Sequence, residues 1–469
     1  MGTRRATWRG WATIGSVALL TALTGGGLTA AGKTAAKSSV TLTVEINGVL
    51  SGKNAAEAVW LTKSVFPRFK KTMAAKGQPV SLKLIGSGVS GTDYANALAL
   101  DLKAGGGPDI FDLDGPYYGE FATAGYLKPL DQVVGPQAAK WAGWKLIPSA
   151  VQAITQFKGQ QYGIPGGTDA RVLFYNTKLF RAANIPMPWQ PTSWADLIAT
   201  AKTLQQKDPG IEALQIDGGA QMGEATTLQG FLPILAGAGQ LIYNETTGKW
   251  QGNTPAMRAA AGFYHTIYSS SLANSQLQVG ANGRNDTFQA FSQNQVGIYL
   301  ESEYLYESVI NSGTGIYPMA NRNRDVAWAF IPAQTPGSGI RGQKFVTLSG
   351  GGGTTINPHT KHAALAWDLL TYMDSTPSLL RYEPLKQFIS SDSAVDKVAL
   401  KSDPLLTFIA NKCLPITAYR PSLAVYPQVS LLIQQLSQNL ATGMSVKGAL
   451  NTYTAQLKKT VGARNVTNS

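Results

Sequence analysis

Asp109-Ile110-Phe111-Asp112-Leu113-Asp114 (DIFDLD, residues 109–114) is a short apolar run between Gly105-Gly106-Gly107-Pro108 and Gly115-Pro116, and it reads as a buried strand. Upstream, Val40, Leu42, Val44 and Ile46 alternate with polar residues, which predicts a first strand. Residues 54–75 predict a helix with Val59, Thr62, Phe66, Phe69 and Met73 on one stripe, kinked at Pro67. Ser81 to Ile85 predicts a second strand, and residues 92–104 a second helix with Ala97, Leu98 and Leu102 inward. Strand, helix, strand, helix, strand is the pattern of a parallel sheet with crossover helices. In such sheets ligands bind beyond the carboxyl ends of the strands, where Asp112 and Asp114 stand. A carboxylate there can accept hydroxyl hydrogen bonds or cap a turn, and position alone leaves both readings open.

A second α/β pattern begins near Arg171. Ser193 with Asp196 three residues on is a capping-box pattern, and Trp194, Leu197, Ile198, Ala201 and Leu204 form an apolar face behind it. Gln295–Leu300 and Val326–Ile331 predict strands. Asn357-Pro358 predicts a helix start with the core stripe Ala366, Leu369, Leu370 and Met373, and residues 427–460 are predominantly helical. At 469 residues the chain exceeds one hydrophobic core, so two lobes are expected.

The formal charge is +13, of which Arg4, Arg5 and Arg9 supply three. No Lys/Arg run is interleaved with aromatics and only 14% of residues are charged, so the balance fits a low-acid exported surface and no nucleic-acid partner is expected. Residues 1–9 are arginine-bearing, 11–24 (WATIGSVALLTALT) uncharged and largely apolar, and small residues end at Ala30, Ala31 and Gly32. That order predicts a signal peptide over 1–32, followed by a tether over 33–39 and hence an exported chain. Leu23-Thr24-Gly25 matches the start of a lipoprotein box, but Gly26 stands where the lipid-bearing Cys would be, which puts a lipid anchor in doubt.

The single Cys413 permits no intrachain disulfide and reads as a small buried hydrophobe. His359 and His362 lack a third ligand nearby, so no metal site is expected. Asp169 and Arg171 precede the run Val172-Leu173-Phe174-Tyr175, as a strand-start salt bridge or as ligand contacts. The tract Ser349-Gly350-Gly351-Gly352-Gly353-Thr354 lacks a P-loop ending and reads as backbone that approaches something closely. No nucleophile elbow is present. A glycosidase needs only two carboxylates, so a secreted carbohydrate-active enzyme stays open as the alternative.

Five segments resemble the extracellular solute-binding proteins of bacterial ABC importers, the class that includes maltose- and trehalose-binding proteins. They are residues 108–131 (PDIFDLDGPYYGEFATAGYLKPLD), 162–180 (YGIPGGTDARVLFYNTKLF), 191–204 (PTSWADLIATAKTL), 349–373, and 420–457 with its Arg-Pro and Tyr-Pro starts. They span most of the chain in the family's order. The resemblance implies a two-lobed periplasmic-binding-protein-like α/β fold with a cleft and a multi-crossing hinge. Crossings are expected near 170, 325 and 375, giving lobes of 40–170 with 326–375 and of 171–325 with 376–469. It implies a sugar ligand, delivery to the membrane subunits of an ABC importer, a monomer, no cofactor and no catalysis. Carried over by motif, Asp114 and Asp169 resemble hydroxyl-binding carboxylates, Tyr304 a stacking ring, Gly350 and Gly351 backbone beside the ligand, and Arg420 a cleft arginine. Glu45, Asn47 and Ser87 follow as further candidates, and Arg171 matches the motif in a ligand or hinge role. Gly166-Gly167 departs from the bulkier residues often found there, and the ligand alternatives are a polyol, a phosphorylated polyol or a peptide.

Overall fold

The computed structural model describes residues 39–468; the expected signal peptide, nearly all of the expected tether and the lipoprotein-box resemblance lie outside the described residues. The first sheet is built as the alternation predicts. Val40–Ile46 (β1) pairs in parallel with Val80–Gly86 (β2) and with Ile110–Asp114 (β3). Helices join them: Ala55–Trp60 (α1), which runs through a wide turn over Leu61–Val65 into Phe66–Ala75 (α2), and Gly91–Lys103 (α3). Pro67 has no N–H to donate, and the wide turn lies immediately ahead of it. That turn rotates the buried stripe, so Trp60, Leu61 and Val65 go inward in place of Val59 and Thr62, while Phe66, Phe69 and Met73 are buried as expected. Ser90 caps α3 by accepting from the Asp93 N–H at 3.1 Å. Tyr94, Ala95, Leu98 and Leu102 face in, whereas Ala97, expected inward, faces solvent.

The sheet is completed by Gly352–Ile356, antiparallel to β3, and by Ile164–Pro165 beyond it. A second sheet has the order Val326–Ala329, Arg171–Asn176, Val296–Ser302, Glu212–Gln215. Each sheet has its own apolar core: Leu42, Val44, Ile110, Leu369 and Leu370 lie in one, Leu173, Leu214, Leu300, Ile433 and Leu457 in the other. Ser193 caps the helix Trp194–Lys207 as predicted, and Tyr426–Ala441 and Val446–Val461 form the closing helix pair. The helix expected at Asn357-Pro358 starts later, at Ala363, because Asn357 is spent on a turn: its Nδ2 donates to the Gly106 and Pro108 carbonyls and its Oδ1 accepts from the His359 N–H.

Sheet membership corrects two of the expected crossings. Val326 lies opposite Asn176 in the second sheet, so the chain does not return to the first lobe near 325; it returns at Gly352, whose strand pairs with β3. After the expected crossing near 375, the helix Thr376–Tyr382 still packs on the first core, with Leu379 buried and Tyr382 stacked on Trp60 at 4.8 Å. Among the described residues no helix is long and apolar enough to cross a membrane.

Candidate functional site

A cavity of about 440 Å³ opens where β1 and β3 end, with walls drawn from both lobes. The lobes meet at its rim: Thr92 Oγ1, at the start of α3, stands 2.9 Å from where a Cβ on Gly223 would sit. Its lining includes Asn47, Asp114, Asp169 and Gly351 from the sequence candidates. Gly350, Gly351 and Arg420 line a second cavity of about 280 Å³ against the hinge. Tyr304, Arg171, Glu45 and Ser87 line neither.

The contacts of these residues lie elsewhere. Arg284 is ion-paired to Glu301 at 2.7 Å and stacks over Phe288 and Tyr304, so the Tyr304 ring belongs to the second lobe's own packing. Glu45 is half-buried, and burial with the nearby Asp101 charge raises its pKa. Ser87 offers its carbonyl to Asn47: turned so that both ends are satisfied, the Asn47 amide donates to Ser87 and Val89 and accepts from Lys53 Nζ at 2.9 Å.

Arg171 bonds across to the strand Phe345–Ser349. Its guanidinium pairs with Asp169, and Asp169 also accepts from the Gly350 N–H. The Arg171 N–H donates to Thr347 Oγ1 at 2.9 Å, and that hydroxyl donates back to the Arg171 carbonyl at 2.8 Å. Two chain crossings are thus laced side by side. Gly351 sits at φ +132°, and a Cβ on it would meet the Gly167 carbonyl oxygen at 2.7 Å. Gly167, opposite Ser390 in the small sheet with Ile389–Ser390, is crowded in turn by the Ile389 carbonyl, so a bulky side chain has no room there. Arg420, with a side chain only 5% exposed, reaches Glu224 of the second lobe at 2.7 Å and Asp114 of the first at 3.2 Å. Tyr426 and Ser430 donate to the same Glu224.

The remaining wall, apart from Asp112, was not singled out in the sequence. Glu57 on α1, Asp112 on β3, Glu303, Lys53 and Lys386 line the cavity, with Tyr94, Tyr117, Tyr382 and Phe388 as its aromatic surface. Burial, then the neighbouring Glu57 charge, pushes Asp112 well above the usual carboxylate range, and burial raises Glu57. Glu303 is pushed up to about 8 by burial and by Asp169. Lys53 is pushed down to about 8 by burial and by Arg284 across the cleft. The available signal for Glu57 and Lys53 was position, since they follow the carboxyl end of β1, where a doubly wound sheet presents its ligand. Tyr382, Lys386 and Phe388 follow a short helix with no local motif, and nothing in the sequence marks them. Cys413 is buried, with its thiol pushed up to about 12, as a small hydrophobe requires.

The family model described as bacterial extracellular solute-binding protein matches residues 52–378. A binding protein of Brucella abortus (strain 2308) is 23% identical over 390 residues, 81% of this chain and 86% of the relative. A maltotriose-binding protein of Pyrococcus abyssi is 34% identical over 87 residues, 19% of this chain and 18% of that protein. Among solved structures, an ABC transporter solute-binding protein of Thermotoga lettingae bound with alpha-D-tagatose matches with a TM-score of 0.74 at 23% identity, covering 90% of this chain and 100% of that one. The maltose-bound MalE3 of T. maritima matches at 0.73 and 20%, with coverage of 90% and 100%. These likenesses bear out the two-lobed α/β fold.

Proposed function

Since the chain belongs to the bacterial extracellular solute-binding proteins, we propose that it captures a sugar between its lobes and hands it to the membrane subunits of an ABC importer, by hinge closure without covalent chemistry. The observation that carries this reading is the cavity of about 440 Å³ beyond the carboxyl ends of the first sheet, walled by both lobes. Its mixture of carboxyl, amide, ammonium and tyrosine groups is what a polyhydroxylated ligand needs, with acceptors and donors for the rim and ring faces for the C–H surface. The names of relatives support the same ligand class: tagatose, maltose, maltotriose and, for a Pseudomonas aeruginosa protein 31% identical over 118 residues, mannitol.

In this reading Asn47, Glu57, Asp112 and Tyr382 contact the ligand, Asp169, Arg171, Gly350, Gly351 and Arg420 form the hinge, and Asp114, paired with Arg420 yet 42% exposed, borders both. The lobes divide where sheet membership changes, at about residues 170 and 350, with a further crossing after 382. The basic, apolar, small-residue order of residues 1–32 supports export, with Gly26 arguing against a lipid anchor. Calorimetric titration with a sugar panel, with chromatography of the ligand afterwards and small-angle scattering before and after, tests the proposal. Saturable binding of a sugar recovered intact, with a smaller radius of gyration, is the expected result. Cleavage of the sugar would replace it with an enzymatic reading, and no binding across the panel would move the search to other solutes.

A further inference from the structure

The whole chain is strongly basic, at +13, yet its cleft is acidic: five carboxyl groups line the cavity against two lysines. Two of the five have arginine partners, Asp114 with Arg420 and Asp169 with Arg171. Among the described residues, Glu57, Asp112 and Glu303 are in no ion pair, and neither are Lys53 and Lys386. Glu303 Oε2 is buried with no hydrogen-bond partner at all. Glu57 and Asp112 repel each other across the floor. Lys386 acts on both Glu57 and Glu303, but one ammonium among three carboxyls is too little positive charge to keep them ionised, and burial holds them protonated to higher pH than free carboxyls. Buried carboxyls without an ion-pair partner are costly to ionise, and the chain's surplus lysine and arginine supplies none to Glu57, Asp112 or Glu303, although Asp112 accepts from the Asn47 backbone N–H.

We infer that the cleft selects a sugar that carries a protonated amine, an amino sugar or an aminocyclitol, with its ammonium held against the Glu57–Asp112 pair. The inference rests on the sugar-binding reading and narrows its substrate class. An ammonium supplies up to three donors and one positive charge at the place where three carboxyls gather without an ion-pair partner, and its charge favours their ionised, accepting form. The ring hydroxyls and ring face are left to Asn47, Lys53 and the tyrosines. Burial and mutual repulsion, which hold Asp112 well above and Glu303 near 8, are the conditions a bound cation relieves.

Paired probes that share a skeleton and differ in charge make the test: glucosamine and galactosamine mono- and disaccharides, their N-acetylated counterparts, and the neutral parent sugars, each titrated calorimetrically into the full chain. The amine form is expected to bind at least about tenfold tighter than either counterpart, the worth of one charge-assisted hydrogen bond. Asp112→Asn and Glu57→Gln should abolish that preference, weakening the amine forms at least about tenfold more than the neutral parents. Both amides remove a repulsion, and thermal unfolding checks that each variant folds; Glu303→Gln is the further variant if either does not. Equal or tighter binding of the N-acetylated or neutral sugars, or a preference that survives all three substitutions, would overturn the inference and leave the sugar reading standing. Failure of every sugar to bind would overturn both.

Discussion

Asp114 and Asp169, on the hinge edge of the cleft, each face an arginine, whereas Glu57 and Asp112, on its floor, face one another. All four were available to the same kind of partner, because the chain carries 40 lysines and arginines against 27 acids. The difference separates two tasks that a binding protein has to combine. A carboxylate neutralised inside the protein fixes backbone: Asp169 ties Arg171 to Gly350, and Asp114 is tied through Arg420 to Glu224 in the other lobe. A carboxylate left without a partner is destabilised until something enters the cleft. The hinge edge is therefore held by internal pairs, and the floor is ready for an external one.

The sharpest way to break this contrast is to convert the hinge edge into a second floor. Arg420→Ala leaves Glu224, whose side chain is only 14% exposed, and Asp114 without their shared cation. Removing one partner of a buried pair is strongly destabilising, so the unfolding free energy should fall by about 3 kcal/mol in denaturant titration. A loss below about 1 kcal/mol would mean that the pair does not hold the lobes.

The floor should respond with the opposite sign. Glu303 has a folded pKa near 8 against an ordinary carboxylate value when unfolded. A folded pKa that is raised means the folded state holds the proton longer, so the stabilisation is complete below the unfolded pKa and is lost as pH rises towards 8. In Glu303→Gln the share of that slope due to Glu303 disappears, while Glu307, Asp217 and Asp396 keep theirs, and the variant should be more stable than the parent by about 2 kcal/mol near pH 8 and equal to it near pH 4. Thermal unfolding across that range reads the difference. A parent–variant difference that stays flat between pH 5 and 8 would contradict it.

These two groups of residues also differ in how readable they were from sequence. The β1–α1–β2–α3–β3 order was legible because period-2 and period-3.6 patterns follow from burial on one face. The capping serines Ser90 and Ser193 are local signals of the same kind, although only Ser193 was read as a cap. Asp169, Arg171, Gly350 and Gly351 were legible because glycine and a charged pair beside an apolar run leave a local mark. The ligand wall was not, since Glu57 sits on the polar side of a helix read by its apolar stripe, and Tyr382, Lys386 and Phe388 reach the cleft only because Tyr382 stacks on Trp60 across the fold. The crossing near 325 was misplaced for a similar reason. Val326–Ala329 has a strand's pattern whichever sheet it joins, and its pairing with Arg171–Asn176 is a long-range choice. Tyr304 was expected as a stacking ring, but Arg284 and Phe288 claim it from its own lobe.

A smaller effect sharpens the backbone side of the hinge. Gly351→Ala places a side chain at φ +132° and against the Gly167 carbonyl oxygen. The strain should cost about 2 kcal/mol of stability in denaturant titration. Gly166→Ala, whose N–H donates to the neighbouring Gly352 carbonyl at 3.1 Å but whose Cβ position opens on free space, should cost less than about 0.5 kcal/mol and serves as the control.

The smallest stability effect falls on Asp114 itself. Its side chain is 42% exposed, so solvent screens its attraction to Arg420, and Arg420 keeps its closer partner Glu224 when Asp114 is changed. Asp114→Asn should therefore lower stability by less than about 1 kcal/mol. Its effect should appear in the position of the lobes, because Asp114 is the first-lobe end of the Asp114–Arg420–Glu224 chain. Small-angle scattering of the ligand-free variant should give a larger radius of gyration than the parent, and a saturating sugar should restore the parent's value. If Asp114→Asn instead unfolds as readily as Arg420→Ala, the ion pair is part of the core rather than a clasp between lobes, and the division into a paired hinge and an unpaired floor would have to be redrawn around Glu224.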